Sequence, residues 1–200
     1  MMTTSKSGLD RRAVVAELLR DTKDTPGGEL LVVTGLGSAT YDAGAAGDRP
    51  ENFYLWGAMG GAAMIGLGLA IAQPDRRVLV LTGDGEALMG LGALSTIAAR
   101  GVSNLAVAVL DNGQFGETGH QTSHTGLGTD LAAVAAGCGW RNTATITSMT
   151  DIPQLRLRLR SEPLFAVIRI SPDEVPRFLP IRDGARLTAR FRDALQLPPD

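Results

Sequence analysis

The chain has 200 residues, of which 44% are hydrophobic and 20% are charged, and its formal net charge is -2. This length fits one globular domain with a substantial core and argues against two domains. The absence of a basic excess argues against nucleic acid as a partner. Cys138 is the single cysteine, which excludes an internal disulfide, and its apolar surroundings favour a buried thiol.

The amino-terminal residues show no export signal. The stretch MMTTSKSGLDRRAVV lacks an apolar segment followed by a small-residue cleavage site, so we expect a cytoplasmic protein. One uncharged run, residues 55–72, is long enough to raise the question of a membrane span. It contains five glycines and is followed at once by polar patterns, so a helix buried against a sheet explains it better. We therefore expect no membrane partner.

The predicted elements begin with an amphipathic helix at residues 10–23, which a proline and two glycines end. Short apolar runs that end in glycine or a polar turn then predict strands at residues 29–35, 76–85, 104–113, 142–148 and 163–171. Helical patterns fall between them at residues 59–72, 86–100, 130–136 and 151–160. The last segment predicts a loop and one basic amphipathic helix.

The alternation of strands and helices predicts an α/β fold, with an open, mostly parallel sheet that carries helices on both faces. We expect a leading helix and linker at residues 1–28, the α/β domain at residues 29–171, and a C-terminal loop and helix at residues 172–200. Ligands of such sheets bind beyond the carboxyl ends of the strands. The loops after Thr34, Thr82 and Leu110 are therefore the candidate ligand site.

The segment Gly83-Asp84-Gly85 joins a buried strand directly to a helix. The glycines let the backbone turn sharply and approach a ligand, and the amide groups that open the helix, including that of Glu86, suit a phosphate. Asp84 then offers an oxygen ligand to a Mg²⁺ ion that bridges the protein and a diphosphate. A plain strand-to-helix turn is the alternative, because short Gly-Asp-Gly turns are common.

Further oxygen ligands follow the next strand. Asn112 lies 28 positions after Asp84, one crossover helix away, and sheet geometry brings the two strand ends together. The Asn112 side-chain carbonyl and a backbone carbonyl near Gln114 would complete an octahedral Mg²⁺ site with diphosphate oxygens and water. The two strand ends together are a much more specific signal than Gly-Asp-Gly alone.

These residues resemble the signature of thiamine-diphosphate enzymes, in which Gly-Asp-Gly precedes an asparagine by about 25 to 30 residues. Residues 48–70 and 83–94 look like the corresponding parts of sulfopyruvate and phosphonopyruvate decarboxylases, and the similarity covers most of residues 29–170. The resemblance implies the thiamine-diphosphate-binding fold, with thiamine diphosphate and Mg²⁺ as cofactors. It also implies that Asp84, Asn112 and the Gln114 carbonyl hold the metal.

The resemblance implies further cofactor contacts. By position, the carbonyl of Gly57 accepts from the aminopyrimidine and Met59 supports the bent conformation of the cofactor. The alternative for Met59 is core filling, the usual role of methionine in an apolar helix. In the loop at residues 34–40 we expect diphosphate contacts from Gly37, Ser38 or Thr40, with a simple turn as the alternative.

Both histidines, His120 and His124, follow the candidate metal-binding loop. Their segment resembles a Gly-Gly-Gln segment of the family, with His120 in the place of the second glycine. The two histidines are candidates for binding an anionic substrate or moving a proton, and solvated loop histidines are the ordinary alternative. Gln121 is the more conservative candidate. Glu86 replaces a small or apolar residue, and we assign it a helix-capping role.

The family's activating glutamate lies in a pyrimidine-binding domain, and only residues 1–28 precede the first predicted strand here. The resemblance therefore implies an alpha-type partner subunit, in a heterodimer, a heterotetramer or a larger assembly, with the cofactor at the interface. The expected reaction is decarboxylation of a small anionic 2-oxo acid of the sulfopyruvate or 3-phosphonopyruvate type. The alternatives are a subunit of an acetolactate-synthase-type carboligase and a noncatalytic cofactor-binding or regulatory subunit.

Overall fold

The computed structural model describes residues 8–197 and is built around a parallel β-sheet. Its strands are β1 Leu31–Thr34, β2 Asn52–Tyr54, β3 Val78–Gly83, β4 Leu105–Asp111, β7 Thr143–Ile146 and β8 Leu164–Arg169. Their order is β2-β1-β3-β4-β8-β7, and every neighbouring pair is parallel. A short antiparallel hairpin, β5 Gln114–Phe115 and β6 Gln121–Thr122, follows β4.

Helices cover both faces of this sheet. In the described residues they are α1 Arg11–Leu18, α2 Ser38–Ala46, α3 Ala62–Ala72, α4 Asp84–Met89, α5 Gly92–Arg100, α6 Leu131–Gly137, α7 Ile152–Ser161 and α8 Gly184–Ala194. Helices α1, α2 and α7 share one hydrophobic core with one face of the sheet, and α3, α5 and α6 share a second core with the other face. The predicted open parallel sheet with two covered faces is confirmed.

The structure differs from the predicted elements in several bounds. It contains β2 and α2, which were not predicted. A three-residue strand and a small, largely buried helix leave no clear apolar period in the sequence. The predicted helix at residues 86–100 is two helices, α4 and α5. They separate at Gly90, where a Cβ atom would lie 2.3 Å from the Gly60 carbonyl oxygen, so another segment approaches the backbone too closely for a continuous helix. Cys138 is half-buried rather than buried.

The leading and C-terminal segments pack onto the α/β core. Helix α1 buries Val14, Val15 and Leu18 in the first core and ends at Leu18, earlier than predicted. Helix α8 lies along the edge strand β2, where Phe191 packs edge-on against Phe53 at 5.3 Å between ring centroids. No helix within residues 8–197 is long and apolar enough to cross a membrane.

Candidate functional site

A narrow cleft opens at the carboxyl ends of β1, β3 and β4. From β1 the chain continues through α2 to β2 on one side, and from β3 it continues through α4 and α5 to β4 on the other. The connecting loops therefore diverge, which is the crevice where open α/β sheets bind ligands. The cleft has a volume of about 90 Å³, and the predicted residues that line it are Ser38, Met59, Gly83, Asp84, Gly85, Glu86, Asn112 and Gln114.

Asp84 is buried, with 2% of its surface exposed, and two hydroxyl groups contact one oxygen of its carboxylate. The Ser123 hydroxyl donates to Oδ2 of Asp84, and the Thr125 hydroxyl lies 2.9 Å from the same atom. Thr125 Oγ1 also lies 2.7 Å from Oδ1 of Asp111, which is equally buried. A hydroxyl carries one proton, so Thr125 can donate to only one carboxylate at a time. Asp111 also accepts from the Gly113 amide at 3.0 Å.

Burial raises the pKa of Asp84, and the nearby charge of Asp111 raises it further, while the hydrogen bonds from Ser123 and Thr125 oppose the shift. Arg169 pairs with the other oxygen of Asp111 and offsets part of the negative charge there. A divalent cation beside Asp84 would favour its ionised form and reverse the shift. The buried acid pair therefore fits a cation in the cleft.

Asn112 lies in the same cleft as Asp84. Its side-chain oxygen accepts a hydrogen bond of 3.0 Å from the Gln114 amide, which fixes the side chain at the end of β4. The three predicted metal ligands, Asp84, Asn112 and Gln114, therefore line one cleft. Within residues 8–197 no group of three or more His, Cys, Asp and Glu side chains is placed to hold a metal. That finding agrees with a ligand set of one carboxylate and two neutral carbonyls, and the metal-binding role stays a prediction.

The loop between β1 and α2 brings Gly37 and Ser38 to the start of α2, near the cleft, whereas Thr40 is buried. Gly37 caps α2 with a φ of 81°, a backbone region that favours glycine, and Ser38 opens the helix beside the cleft. Thr40 is fully buried, and its hydroxyl bonds the Gly35 carbonyl and the Thr34 hydroxyl. The expected diphosphate contact from Thr40 is therefore wrong, because its side chain points into the core.

Glu86 connects three segments instead of only capping its own helix. Its buried carboxylate accepts from the Leu36 amide at 3.0 Å and from the Ala62 amide at 3.3 Å. Burial raises the pKa of Glu86, and the hydrogen bonds that it accepts oppose the shift. A Cβ atom at Gly35 would lie 1.7 Å from the carboxylate, so glycine leaves the space that Glu86 fills. Glu86 thus fastens the β1–α2 loop to the start of α3.

The predicted pyrimidine contacts, Gly57 and Met59, lie in the loop before α3. Met59 is half-buried and lines the cleft, whereas it was expected inside a helix. Gly57 is exposed and is not among the lining residues of this cleft. The helix starts only at Ala62, because the intervening residues form a turn that includes Ala58 and Gly60 at positive φ. Both cofactor roles stay predictions.

The three catalytic candidates, which lie in or just after the β5–β6 hairpin, have different surroundings. His120 has a φ of 61°, a backbone region that favours glycine. Its ring nitrogens contact Gln114 at 3.2 Å and Glu174 at 3.0 Å. Gln121 is exposed and bonds its own loop at Thr118, and the exposed His124 ring packs edge-on against a phenylalanine. Of the three, only His120 lines a cleft.

A second cleft, of about 390 Å³, adjoins the first and shares Ser38 and Asn112 with it. Some residues that line the two clefts or bond their lining residues lie outside the predicted motifs. Sequence reasoning missed Arg11, Tyr41, Glu117, Ser123, Thr125 and Arg169. The only signal for Ser123 and Thr125 was the cluster of hydroxyls after the hairpin. Arg11 had no signal, because it belongs to the leading helix, far from the motifs in the chain.

The fold and the cleft define an open α/β protein with an acid and an amide at the switch point of its sheet, the class that binds phosphate-containing ligands there. A family model described as "Thiamine pyrophosphate enzyme, C-terminal TPP binding domain" matches residues 37–170. The chain belongs to this family, and its cofactor is thiamine diphosphate.

Curated relatives agree with this assignment. The chain is 38% identical over 135 residues to sulfopyruvate decarboxylase subunit beta of Methanocaldococcus jannaschii, which covers 68% of the chain and 71% of the relative. It is 39% identical to the same subunit of Methanothermobacter thermautotrophicus, covering 80% of the chain and 84% of the relative. It is 37% identical to phosphonopyruvate decarboxylase of Streptomyces viridochromogenes, covering 93% of the chain and 45% of that longer protein.

Solved structures support the fold. A putative thiamin diphosphate-dependent enzyme from Mycobacterium smegmatis matches with a TM-score of 0.68 at 23% identity, covering 86% of this chain and 35% of that chain. A thiamine diphosphate-dependent 4-hydroxybenzoylformate decarboxylase from Rhodococcus jostii matches with a TM-score of 0.65 at 21% identity. The chain therefore corresponds to one domain of these larger proteins.

Proposed function

We propose that this chain is the diphosphate- and Mg²⁺-binding subunit of a split thiamine-diphosphate-dependent decarboxylase. The observation that carries the proposal is the meeting of Asp84, Asn112 and Gln114 in one cleft at the switch point of the sheet. Membership of the cofactor-binding family supports it. Thiamine diphosphate, when bound, supplies the nucleophilic carbon and the electron sink that decarboxylation of a 2-oxo acid requires.

The proposal gives each residue of the cleft a role. Asp84 and Asn112 offer side-chain oxygens to Mg²⁺, and Gln114 offers its main-chain carbonyl. The Ser123 and Thr125 hydroxyls both bond Oδ2 of the Asp84 carboxylate. Among the described residues, no side chain donates a hydrogen bond to its Oδ1 atom. Such second-sphere hydrogen bonds orient a metal ligand.

The loops around the metal ligands supply the remaining cofactor contacts. Gly37 and Ser38 bring the start of α2 to the diphosphate, and Gly85 lies in the first turn of α4 at the end of β3. At Gly85 a Cβ atom would lie 2.7 Å from the Phe115 ring, so the turn is closely packed as well. Met59 borders the same cleft and would contact the cofactor there.

An alpha-type partner subunit completes the site in this proposal. The volume of about 90 Å³ is below the roughly 300 to 1,000 Å³ of pockets that enclose drug-sized ligands, so this cleft suits the diphosphate end of the cofactor. The pyrimidine end and its activating glutamate are then left to the partner. Two relatives that this chain largely covers are named as beta subunits, which supports such a pairing. Stoichiometry and a cytoplasmic location stay predictions.

The substrate in this proposal is a small anionic 2-oxo acid of the sulfopyruvate or 3-phosphonopyruvate type. The names of the relatives support it, since they are sulfopyruvate and phosphonopyruvate decarboxylases. These names also favour decarboxylation over the carboligase and the noncatalytic alternatives.

The test is a calorimetric titration of thiamine diphosphate with Mg²⁺ into the purified chain, in the assembly with its partner. Wild type is expected to bind only when Mg²⁺ is present. Asn112→Ala is expected to weaken the affinity at least about 100-fold, because it removes a metal ligand and the anchor of the Gln114 turn. Asn142→Ala is the matched control, since the Asn142 side chain donates to the Pro163 carbonyl at the opposite end of the sheet.

The results separate the cofactor role from the reaction. Wild-type affinity that is unchanged by Asn112→Ala would contradict the metal site. Absence of binding in wild type would contradict the whole proposal. If the cofactor binds, release of CO₂ from sulfopyruvate and from 3-phosphonopyruvate identifies the substrate, and failure with both acids would contradict the substrate class alone.

A further inference from the structure

Arg11 of the leading helix reaches the candidate cofactor site although it lies outside the family match at residues 37–170. Its side chain is only 10% exposed, and Nη1 donates a hydrogen bond to the Ser38 hydroxyl at the start of α2. Arg11 also lines the second cleft together with Ser38 and Asn112, and these two residues line the Asp84 cleft as well. The guanidinium therefore stands where the two clefts join.

The charge around Arg11 is not balanced by its partner. Asp42 of α2 is fully buried and pairs with two guanidinium groups, Arg11 at 2.9 Å and Arg12 at 2.9 Å. Two cations for one buried carboxylate leave one positive charge in excess. A further acid that acts on Asp42 is Asp10, which is exposed and caps α1 by accepting from the Ala13 amide.

The other charged side chains that line the second cleft are Glu117, Asp173, Glu174 and Arg177. Glu117 approaches Gly37 and pairs with Arg177 at 3.5 Å. His120 contacts Glu174 at 3.0 Å. Arg11 is the cation of this cleft that contacts Ser38. A diphosphate carries more negative charge than one Mg²⁺ ion next to Asp84 neutralises, so a further cation at this place is favourable.

We infer that Arg11 is a further phosphate-binding residue, whose guanidinium bonds the phosphate oxygens of the cofactor beside Ser38. Arginine is suited to this contact because its planar group donates two parallel hydrogen bonds to a phosphate. The inference rests on the proposed function. It gives the leading helix a part in cofactor binding, and Asp42 a part in holding the guanidinium in place.

The test compares Arg11→Met with Arg12→Met, each of which removes one of the two partners of Asp42. Only Arg11 contacts Ser38, whereas Arg12 extends to the Pro176 carbonyl. Titration of thiamine diphosphate with Mg²⁺ is expected to show an affinity roughly 10- to 100-fold weaker for Arg11→Met, the range for a hydrogen bond between charged groups. Arg12→Met is expected to bind within about twofold of wild type. Arg11→Lys is expected to recover part of the loss.

Melting temperatures of the two methionine variants, measured without cofactor, show whether both folds are intact. Equal losses of affinity in the two variants would assign Arg11 a structural role only, which overturns the inference. Wild-type affinity in Arg11→Met would overturn it as well and would leave the proposed function standing. Failure of wild type itself to bind thiamine diphosphate would instead overturn the proposed function.

Discussion

The two ends of the central sheet bury polar side chains of opposite character. At the amino ends of the strands, Arg77, Asn104 and Arg160 donate to main-chain carbonyls at or just beyond the last turns of neighbouring helices. At the carboxyl ends, Asp84 and Glu86 are buried carboxylates that accept from hydroxyls and amides. One end is rich in donors, and the other is rich in acceptors.

The difference follows from the direction of the helices. In a parallel sheet the crossover helices run antiparallel to the strands, so their C-termini gather at the amino ends and their N-termini at the carboxyl ends. Free carbonyls at the C-termini need donors, and free amides at the N-termini need acceptors. Side chains bond the carbonyls at the amino ends, whereas α2 and α4, which begin beside the cleft, have no side-chain cap in the described residues. The same architecture thus makes one end structural and the other a binding site.

The largest expected effect on stability is at the amino end. Arg77 donates to the carbonyls of Ser103, Leu159 and Glu162. Arg77→Met removes these donors and leaves at least one buried carbonyl unsatisfied, so the free energy of unfolding is expected to fall by about 3 kcal/mol. Chemical denaturation of the variant and the wild type measures this change in the free energy of unfolding. The control Arg100→Met, at an exposed site, is expected to change stability by less than about 0.5 kcal/mol.

The same Arg77→Met variant is expected to keep the cofactor affinity of the wild type under conditions where both are folded. A large loss of affinity would contradict the division of the sheet into a structural end and a binding end.

A smaller effect is expected for the hydroxyl groups that bond the candidate metal ligand Asp84. Replacing Ser123 by Ala together with Thr125 by Val removes the hydroxyls that hold Asp84. The concentration of Mg²⁺ needed for half-maximal thiamine diphosphate binding is expected to rise about tenfold, the lower range for losing second-sphere hydrogen bonds. Thr122→Val, at an exposed position of the same hairpin, is the control. An unchanged Mg²⁺ requirement would show that Asp84 needs no support from these hydroxyls.

The smallest effect is expected at Glu86. Glu86→Gln keeps the shape of the side chain but has one acceptor oxygen, so either the Leu36 or the Ala62 amide faces an NH₂ group. The free energy of unfolding is expected to fall by about 1 kcal/mol. Glu174→Gln, at an exposed carboxylate, serves as the control. A change no larger than in the control would mean that the two amides find other partners.

Much of the fold could be predicted from the sequence, because it depends on local patterns. Short runs that end in glycine or a polar turn predicted the strands β1, β3, β4, β7 and β8, and the helical patterns between them required parallel pairing. The three candidate metal ligands could be found for the same reason. Asp84 and Asn112 each follow a strong strand, so the rule that ligands bind at strand ends placed them in one cleft.

The sequence by itself thus determined five of the six strands of the sheet, the family resemblance and the residues at the ends of β3 and β4. Only the tertiary structure decided what surrounds those residues. Arg11, Glu86 and Ser123 come from three separate segments, and each acts through a contact with a distant residue. Periodicity and strand-end rules describe neighbours along the chain, whereas a side-chain contact depends on how helices and loops pack. That packing is what turns a recognisable motif into a site of defined charge and geometry.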